Sequence, residues 1–260
     1  MTRSPDSFNE VADLYDRARP LYPTELIDDL FTITGLAAGE RVLEIGCGTG
    51  QITLPLAERG VRITALEPGP NLAAIARRHL APFDDVDVLV TRFEPFVLPE
   101  DPYQLVISAT AFHWLDPCVR MSKSAQALAQ GGHLAVIGTS WGTGRELDEF
   151  TKMSQSCYQR WEPGAGVFVP PTASELTREW PELDDFPGFS QIEYRQYEQR
   201  HRYTTENYLD LLRTFSNVNG LDEASRSGLL ECLRKLSDSS FGGTFTRSDL
   251  REMWTATRSG

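Results

Sequence analysis

One nine-residue segment, V-L-E-I-G-C-G-T-G at positions 42–50, constrains the fold of this chain more than any other. Its apolar first half predicts a buried parallel strand. Its glycines at alternate positions predict a tight turn in which a ligand lies directly against the backbone. The segment from Ile52 to Glu58 predicts a helix whose first N–H groups face that ligand. The segment therefore predicts a nucleotide-type binding loop.

Two familiar nucleotide loops do not match this segment. The dinucleotide fingerprint G-x-G-x-x-G needs a third glycine at position 51, where the chain has Gln51. A phosphate loop needs a lysine after its last glycine, and none follows Gly50. A nicotinamide-dependent oxidoreductase is thereby disfavoured, although it stays the first alternative.

A second acid lies at the spacing expected of a ribose ligand. The predicted strand Arg62–Glu67 ends in Glu67, 67 − 44 = 23 residues after Glu44. A carboxylate suits this task because it can accept from both ribose hydroxyls. A lone acid at a strand end would be solvent-exposed, but its spacing to the glycine turn favours the ribose role.

The pattern E-x-G-C-G-T-G resembles the first motif of the class I S-adenosylmethionine (SAM)-dependent methyltransferases. The resemblance implies SAM as cofactor and S-adenosylhomocysteine as product. It implies that Glu44 lies near the SAM ammonium, that Glu67 binds the ribose and that Pro68 lies against the adenine. The turn itself would comprise Gly46, Cys47, Gly48, Gly50 and Gln51, with Cys47 as a small residue that fits rather than a nucleophile.

The N-terminal segment at positions 8–23, F-N-E-V-A-D-L-Y-D-R-A-R-P-L-Y-P, resembles a bacterial and fungal methyltransferase group that includes the trans-aconitate methyltransferases. In that group the segment folds over the cofactor as a lid. The resemblance implies that Tyr15 and Arg19 approach the SAM carboxylate. The alternative, with Tyr15 in the core and Arg19 in solvent, stays open because lids and core helices share one periodicity.

Strands and helices alternate from residue 36 to residue 140, which predicts a parallel sheet with helical crossovers. Gly131-Gly132 is interpreted as a turn before a fifth strand over His133–Gly138. The resemblance implies a Rossmann-like α/β fold with seven strands, mostly parallel, the last antiparallel. We predict a single methyltransferase domain over 1–260: lid helices at 1–35, a SAM-binding core at 36–140, an inserted cap at 141–189 and completing elements at 190–260. A helix at Arg145–Trp161 and Pro/Gly stretches at 163–166 and 170–171 belong to this cap.

The fourth predicted strand is followed by A-T-A-F-H-W at positions 109–114, which resembles the A-x-x-x-H-W segment of the same group. His113 is the candidate general base, since a neutral imidazole can accept a proton near pH 7. The alternative, in which His113 braces the pocket wall, stays open. The remaining candidates are Phe93, Glu94, Ser108 and Ala109 for the cofactor, and Phe112, His113, Trp114 and Trp141 for the substrate.

Two positions depart from the family pattern. Gln104 stands where an Asp commonly precedes the fourth strand, and Arg92 replaces the side chain that would accept from the adenine amino group. Either the cofactor pose is adjusted or its affinity is reduced.

Composition narrows the class of partner. The net charge of −12 disfavours nucleic acid, whose binders usually carry a basic face. No apolar run approaches the ~18 residues of a membrane span, and the N-terminus lacks the apolar core of a signal peptide. The four cysteines are scattered, which argues for a reduced cytoplasm and against a disulfide framework or structural zinc. No metal-ligand spacing is present, so we expect no metal.

These observations predict a cytoplasmic SAM-dependent methyltransferase, a monomer or homodimer, that acts on a small molecule, with oxygen as the first-choice acceptor atom before nitrogen or carbon. Secondary metabolism is inferred by analogy alone. A SAM-fold protein that binds SAM or S-adenosylhomocysteine without methylating is a further alternative. A macromolecular acceptor comes third because of the acidic charge.

Overall fold

The computed structural model describes residues 7–161 and 170–259 of the 260-residue chain. Seven strands form one sheet in the order β3-β2-β1-β4-β5-β7-β6. They are β1 (Arg41–Ile45), β2 (Arg62–Leu66), β3 (Val86–Leu89), β4 (Tyr103–Ala109), β5 (Leu128–Trp141), β6 (Phe189–Thr204) and β7 (Thr244–Arg258).

Eleven helices accompany the sheet in the described part of the chain. They are α1 (Ser7–Glu10), α2 (Ala12–Ala18), α3 (Thr24–Thr34), α4 (Thr53–Ala57), α5 (Pro70–Leu80), α6 (Arg120–Ala127), α7 (Glu149–Trp161), α8 (Pro181–Asp184), α9 (Thr205–Leu212), α10 (Ser216–Asn219) and α11 (Glu223–Phe241). None of these helices has both the length and the apolarity that a bilayer span requires.

The sheet is mixed, as the class I methyltransferase resemblance implies. β1 pairs in parallel with β2 and with β4, and β3 and β5 extend the parallel set on either side. β7 runs antiparallel to β5. Gly142 N donates to Asp249 Oδ1, whereas Gly138, earlier in the chain, lies against Glu252, which comes later in β7. The carboxyl ends of β1, β2 and β4 therefore share one edge of the sheet, where ligands of such folds bind.

The chain divides into two compact units. The core unit comprises Leu21–Gly138, Arg178–Tyr197 and Glu252–Gly260, and the helical unit comprises Met1–Pro20, Thr139–Thr177 and Glu198–Arg251. The core unit holds β1 to β4, together with α3 to α6 and α8. The helical unit holds α1, α2, α7 and α9 to α11.

Both faces of the core unit's sheet are buried. Val42 packs in one apolar cluster with Leu26 and Leu105, whereas its neighbour Leu43 packs in another with Val106. Successive residues of a strand point to opposite faces, so a strand covered on both sides needs an unbroken apolar run. This explains the apolar residues Val42, Leu43 and Ile45 of β1, which are interrupted only by the buried acid Glu44.

Two of the four cysteines form a disulfide in the helical unit. Cys157 in α7 and Cys232 in α11 form a disulfide across 75 residues of sequence, with their Cα atoms 5.7 Å apart. The cysteines thus do not support the reduced compartment inferred from their scattered spacing, because α7 and α11 pack side by side and bring this pair together. Cys47 and Cys118 are free.

Two predicted boundaries also change. β5 begins at Leu128 and contains Gly131-Gly132. Its six residues from Leu128 to His133 oppose only the three residues of β4 from Tyr103 to Leu105, which makes the register irregular there. α7 begins at Glu149 rather than Arg145, since the Asp148 carboxylate caps the helix by accepting from Thr151 N at 2.7 Å. The Pro/Gly stretch at 163–166 lies outside the described residues.

Candidate active site

The glycine turn after β1 has the backbone conformation that its sequence predicts. Gly46, Gly48 and Gly50 have φ angles of 74°, 59° and 95°, a region that favours glycine. A Cβ atom added to Gly46 would lie 2.5 Å from the Cβ of Ala111. The turn is anchored to β2 because the N–H groups of Gly46 and Cys47 both donate to Leu66 O, at 2.8 and 3.0 Å.

Glu67 joins this turn to the one that follows β2. Its Oε2 accepts from Gly48 N at 2.9 Å and its Oε1 accepts from Gly69 N at 2.8 Å. Burial raises the pKa of Glu67, and these two backbone bonds partly oppose the rise. Each carboxylate oxygen keeps a further lone pair, so the carboxylate can still accept from a pair of hydroxyls.

Glu44 lies at the end of β1 and is 1% exposed. Burial raises the pKa of Glu44 to about 7, with a lowering contribution from the Thr53 hydroxyl and a smaller raising one from Glu67. Its Oε2 has no hydrogen-bond partner among the described residues. A buried carboxylate oxygen without a donor is costly, so this atom is expected to receive a cation or N–H group from a ligand.

Two other polar atoms of the turn are also buried without a hydrogen-bond partner among the described residues. Thr49 Oγ1 and Gln51 Nε2 are buried, and neither meets a hydrogen-bond partner within the described part of the chain. The backbone of Thr49, in contrast, is held from α5, since its carbonyl lies 3.0 Å from His79 Nδ1. A carbonyl only accepts, so Nδ1 carries the proton. Sequence reasoning missed His79, because only the packing of α5 brings it to the turn.

The predicted adenine segment follows β3. Phe93 is 1% exposed and packs in the core, and Glu94 Oε1 accepts from Asp116 N at 3.1 Å. This bond ties the segment after β3 to the loop after β4. The other predicted adenine contact, Pro68, lies between Glu67 and Gly69, whose N–H donates to the Glu67 carboxylate. Pro68 follows β2 and Phe93 follows β3, so both lie at the carboxyl-end edge of the sheet.

The two predicted cofactor residues of β4, Ser108 and Ala109, are buried in the sheet. Ser108 is fully buried, and its hydroxyl donates to Ile45 O at 3.0 Å, which bridges β4 and β1. Ala109 is 9% exposed. Their cofactor role stays a prediction, but through Ile45 the hydroxyl of Ser108 steadies the start of the glycine turn.

The loop after β4 carries the catalytic candidate in a short 3₁₀ turn, Phe112–Trp114. Phe112 is 3% exposed and meets Trp180 edge to face at 5.6 Å, so it packs in the core. His113 is exposed, and its ring lies 5.0 Å from that of Trp114. The exposed ring of His113 suits either role proposed for it.

Three predicted residues come together in the helical unit. The Arg19 guanidinium lies over the rings of Tyr15, Trp141 and Phe215, at 4.8, 5.2 and 4.7 Å from their centroids. It donates to Thr214 Oγ1 at 2.8 Å and to Thr214 O at 2.9 Å. Tyr15 and Arg19 as SAM ligands and Trp141 as a substrate contact stay predictions. Within the described ranges, no three His, Cys, Asp or Glu side chains are arranged to hold a metal ion.

Comparison with known proteins finds methyltransferases. Residues 42–132 match the methyltransferase domain family. An uncharacterized methyltransferase of Mycobacterium tuberculosis is 35% identical over 137 residues, 53% of this chain and 52% of that protein. An uncharacterized methyltransferase-like protein of Schizosaccharomyces pombe is 27% identical over 221 residues, 84% of this chain and 80% of that protein. The chain spans about half the length of the mycobacterial relatives it matches.

The fold agrees with this match. The structure of a SAM-dependent methyltransferase from Thiobacillus denitrificans, in complex with S-adenosylhomocysteine, superposes with a TM-score of 0.55 at 16% identity. The superposition covers 98% of this chain and 99% of that one. The seven-stranded sheet is therefore the α/β fold of the class I methyltransferases.

Proposed function

We propose that this protein is a SAM-dependent methyltransferase that acts on a small-molecule acceptor. The observation that carries the proposal is the pair of buried acids around the glycine turn. Glu67 is held by the N–H groups of Gly48 and Gly69, whereas Glu44 presents an oxygen that no described residue satisfies. One acid suits a diol and the other an ammonium, which are two groups that SAM carries on opposite sides of its sulfur.

The residues of the core unit fit this cofactor. Glu44 would hold the ammonium, and Thr49 and Gln51 offer buried polar atoms that a ligand can satisfy. Glu67 would accept from the ribose hydroxyls, while Pro68 and the backbone of Phe93 would contact the adenine. When bound, SAM supplies an electrophilic methyl group on a positively charged sulfur.

The protein's contribution to the reaction is mainly positional. A rigid turn, tied to β2 through Leu66 and Glu67, fixes the donor, and proximity of two oriented reactants supplies much of the rate. Phe112, Trp114 and Trp141 are proposed to shape the acceptor side, and Tyr15 and Arg19 to cover the cofactor carboxylate. His113 either accepts the acceptor's proton or braces the pocket wall.

We propose oxygen as the first acceptor atom, before nitrogen or carbon. The net charge of −12 favours a small molecule over nucleic acid. The segment at positions 8–23 supports a place near the small-molecule group that includes the trans-aconitate methyltransferases. One or two copies of the chain are proposed. The cysteines no longer support a cytoplasmic setting, since Cys157 and Cys232 form a disulfide.

Release of S-adenosylhomocysteine tests the reaction. The protein is incubated with SAM and a panel of hydroxylated, carboxylated and amino small molecules, and the product is quantified by mass spectrometry together with the methylated acceptor. We expect stoichiometric formation of both with at least one acceptor class. Tight binding of SAM with no methylated product across the panel would instead support a protein that binds SAM without methylating.

A further inference from the structure

Helix α6 places two cationic side chains one turn apart, and each binds backbone carbonyls of a different loop. Arg120 NH1 donates to Phe112 O at 3.3 Å, in the loop that carries His113. Lys123 Nζ donates to Glu94 O at 2.6 Å and to Phe96 O at 2.7 Å, in the segment after β3. Residues three apart on a helix lie on one face, so α6 holds both loops from the same side.

The bonds of Lys123 converge on one tight turn. The turn is closed by Phe96 N donating to Phe93 O at 3.2 Å, and Lys123 Nζ also lies 5.2 Å from the centre of the Phe93 ring. The ammonium therefore contacts three of the four residues from 93 to 96. Hydrogen bonds from a charged donor are roughly twice as strong as neutral ones, so two of them constrain the turn strongly.

The sheet itself does not hold this turn. β3 ends at Leu89, and the turn lies beyond its last paired residue. On the other side, Glu94 Oε1 is held by Asp116 N at 3.1 Å. Burial lowers the pKa of Lys123, and the nearby Glu94 carboxylate only partly opposes this shift. The ammonium is thus partly withdrawn from water and takes backbone carbonyls as its partners.

We propose that Lys123 is a positioning residue for the cofactor, which holds the turn at 93–96 in the shape that meets the adenosyl group. The inference rests on the proposed function, because that function places the backbone of Phe93 at the adenine and the neighbouring Glu94 is a further cofactor candidate. In this role Lys123 acts through the backbone carbonyls of Glu94 and Phe96.

Two ligands separate this role from a general loss of structure. S-Adenosylhomocysteine carries the adenosyl and the amino-acid groups, whereas 5′-methylthioadenosine lacks the amino-acid group. A Lys123→Met variant keeps the length and the apolar stem of the side chain but removes the ammonium. We expect its dissociation constants for both ligands to rise about tenfold, since the turn serves the part they share. A Glu44→Gln variant should weaken the first ligand alone.

Two further variants control the comparison. Lys123→Arg retains a charged donor and should bind both ligands within about threefold of wild type. Lys235→Met removes an exposed lysine, paired with Glu231 at 3.3 Å in the helical unit, and should bind both ligands as wild type does. Calorimetry supplies the affinities, and the unfolding midpoint of each variant is measured in parallel.

Hydrogen exchange gives a readout that needs no turnover. In the wild-type protein, S-adenosylhomocysteine should protect the peptide that covers residues 91–98, and Lys123→Met should speed exchange there selectively. Lys123→Met affinities within twofold of wild type for both ligands, or a loss confined to S-adenosylhomocysteine, would overturn the role of Lys123 while the proposed function stands. If the folded wild-type protein bound neither ligand, the proposed function and this inference would both be wrong.

Discussion

The Glu67 carboxylate accepts the backbone N–H of Gly48 at 2.9 Å, across 19 residues of sequence. Its other oxygen accepts from Gly69 N at 2.8 Å. One side chain thus fixes the turn after β1 to the turn after β2. The acid expected to bind a ligand also builds the loop that the ligand touches.

Replacing Glu67 with Gln tests this double role. An amide has one oxygen, so its NH₂ group would face one of the two N–H donors and leave that donor unpaired. Losing an acceptor for a buried donor costs about 1–3 kcal/mol, and the ligand contact is lost in addition. We expect the affinity for S-adenosylhomocysteine to fall about 100-fold, measured by calorimetry. Glu58→Gln, at an exposed helix end, is the matched control; an unchanged affinity in Glu67→Gln would contradict the ribose assignment.

Cofactor affinity should depend on pH through Glu44. Burial raises the pKa of Glu44 to about 7, and Glu67 adds to the rise, so below pH 7 the free protein holds this carboxyl largely protonated. The ligand's ammonium favours the ionised form, so binding must release the proton. Affinity for S-adenosylhomocysteine should therefore fall as the pH drops below about 7, by up to about tenfold per pH unit.

Glu44→Gln should remove this pH dependence between pH 5 and 7 and leave affinity low throughout. 5′-Methylthioadenosine, which has no ammonium, should show no such dependence in the wild-type protein. A flat wild-type profile for S-adenosylhomocysteine from pH 5 to 8 would contradict the assignment of Glu44 to the ammonium.

His113→Ala separates the two roles of this side chain. Its exposed ring lies 5.0 Å from that of Trp114, which fits either role, but the reaction is assigned mainly to positioning. We expect a loss in kcat below about tenfold, because a general base contributes 10²–10⁴-fold. A loss above about 100-fold, with the acid limb of the pH–rate profile also abolished, would make His113 the base.

The Cys157–Cys232 disulfide should contribute much of the stability of the helical unit. It closes a loop of about 75 residues, for which chain entropy predicts about 4 kcal/mol. Oxidised protein should therefore unfold roughly 10 °C higher than a Cys157→Ser variant in calorimetric scans. Cys118→Ser removes an exposed free thiol and should not shift the midpoint. Equal midpoints for oxidised wild type and Cys157→Ser would show that the bond is absent in solution.

The sequence predicted the parts of this site that depend on local order. The alternate glycines adopt positive φ, and the 23-residue spacing between Glu44 and Glu67 follows from one strand–helix–strand repeat. The glycine turn and the second acid could therefore both be predicted.

Features that depend on packing between distant segments were not predicted. The disulfide needs α7 beside α11, the bond from His79 to Thr49 O needs α5 beside the turn, and the bonds of Lys123 need α6 beside the segment after β3. In each case the side chain alone gives no local signal. Two cations three residues apart on α6 were the one hint available, and this pattern equally suits a solvated helix face.

The most direct test of the account is calorimetric titration with SAM, S-adenosylhomocysteine and NADH, on wild type, Gly48→Val and Gly39→Val. Both glycines have positive φ, 59° and 83°, so both variants carry backbone strain, but only Gly48 lies in the predicted cofactor turn. The account predicts that wild type and Gly39→Val bind the two adenosyl amino acids and not NADH, whereas Gly48→Val binds none of the three. Binding of NADH alone, or wild-type affinity for S-adenosylhomocysteine in Gly48→Val, would contradict the assignment of this turn to SAM.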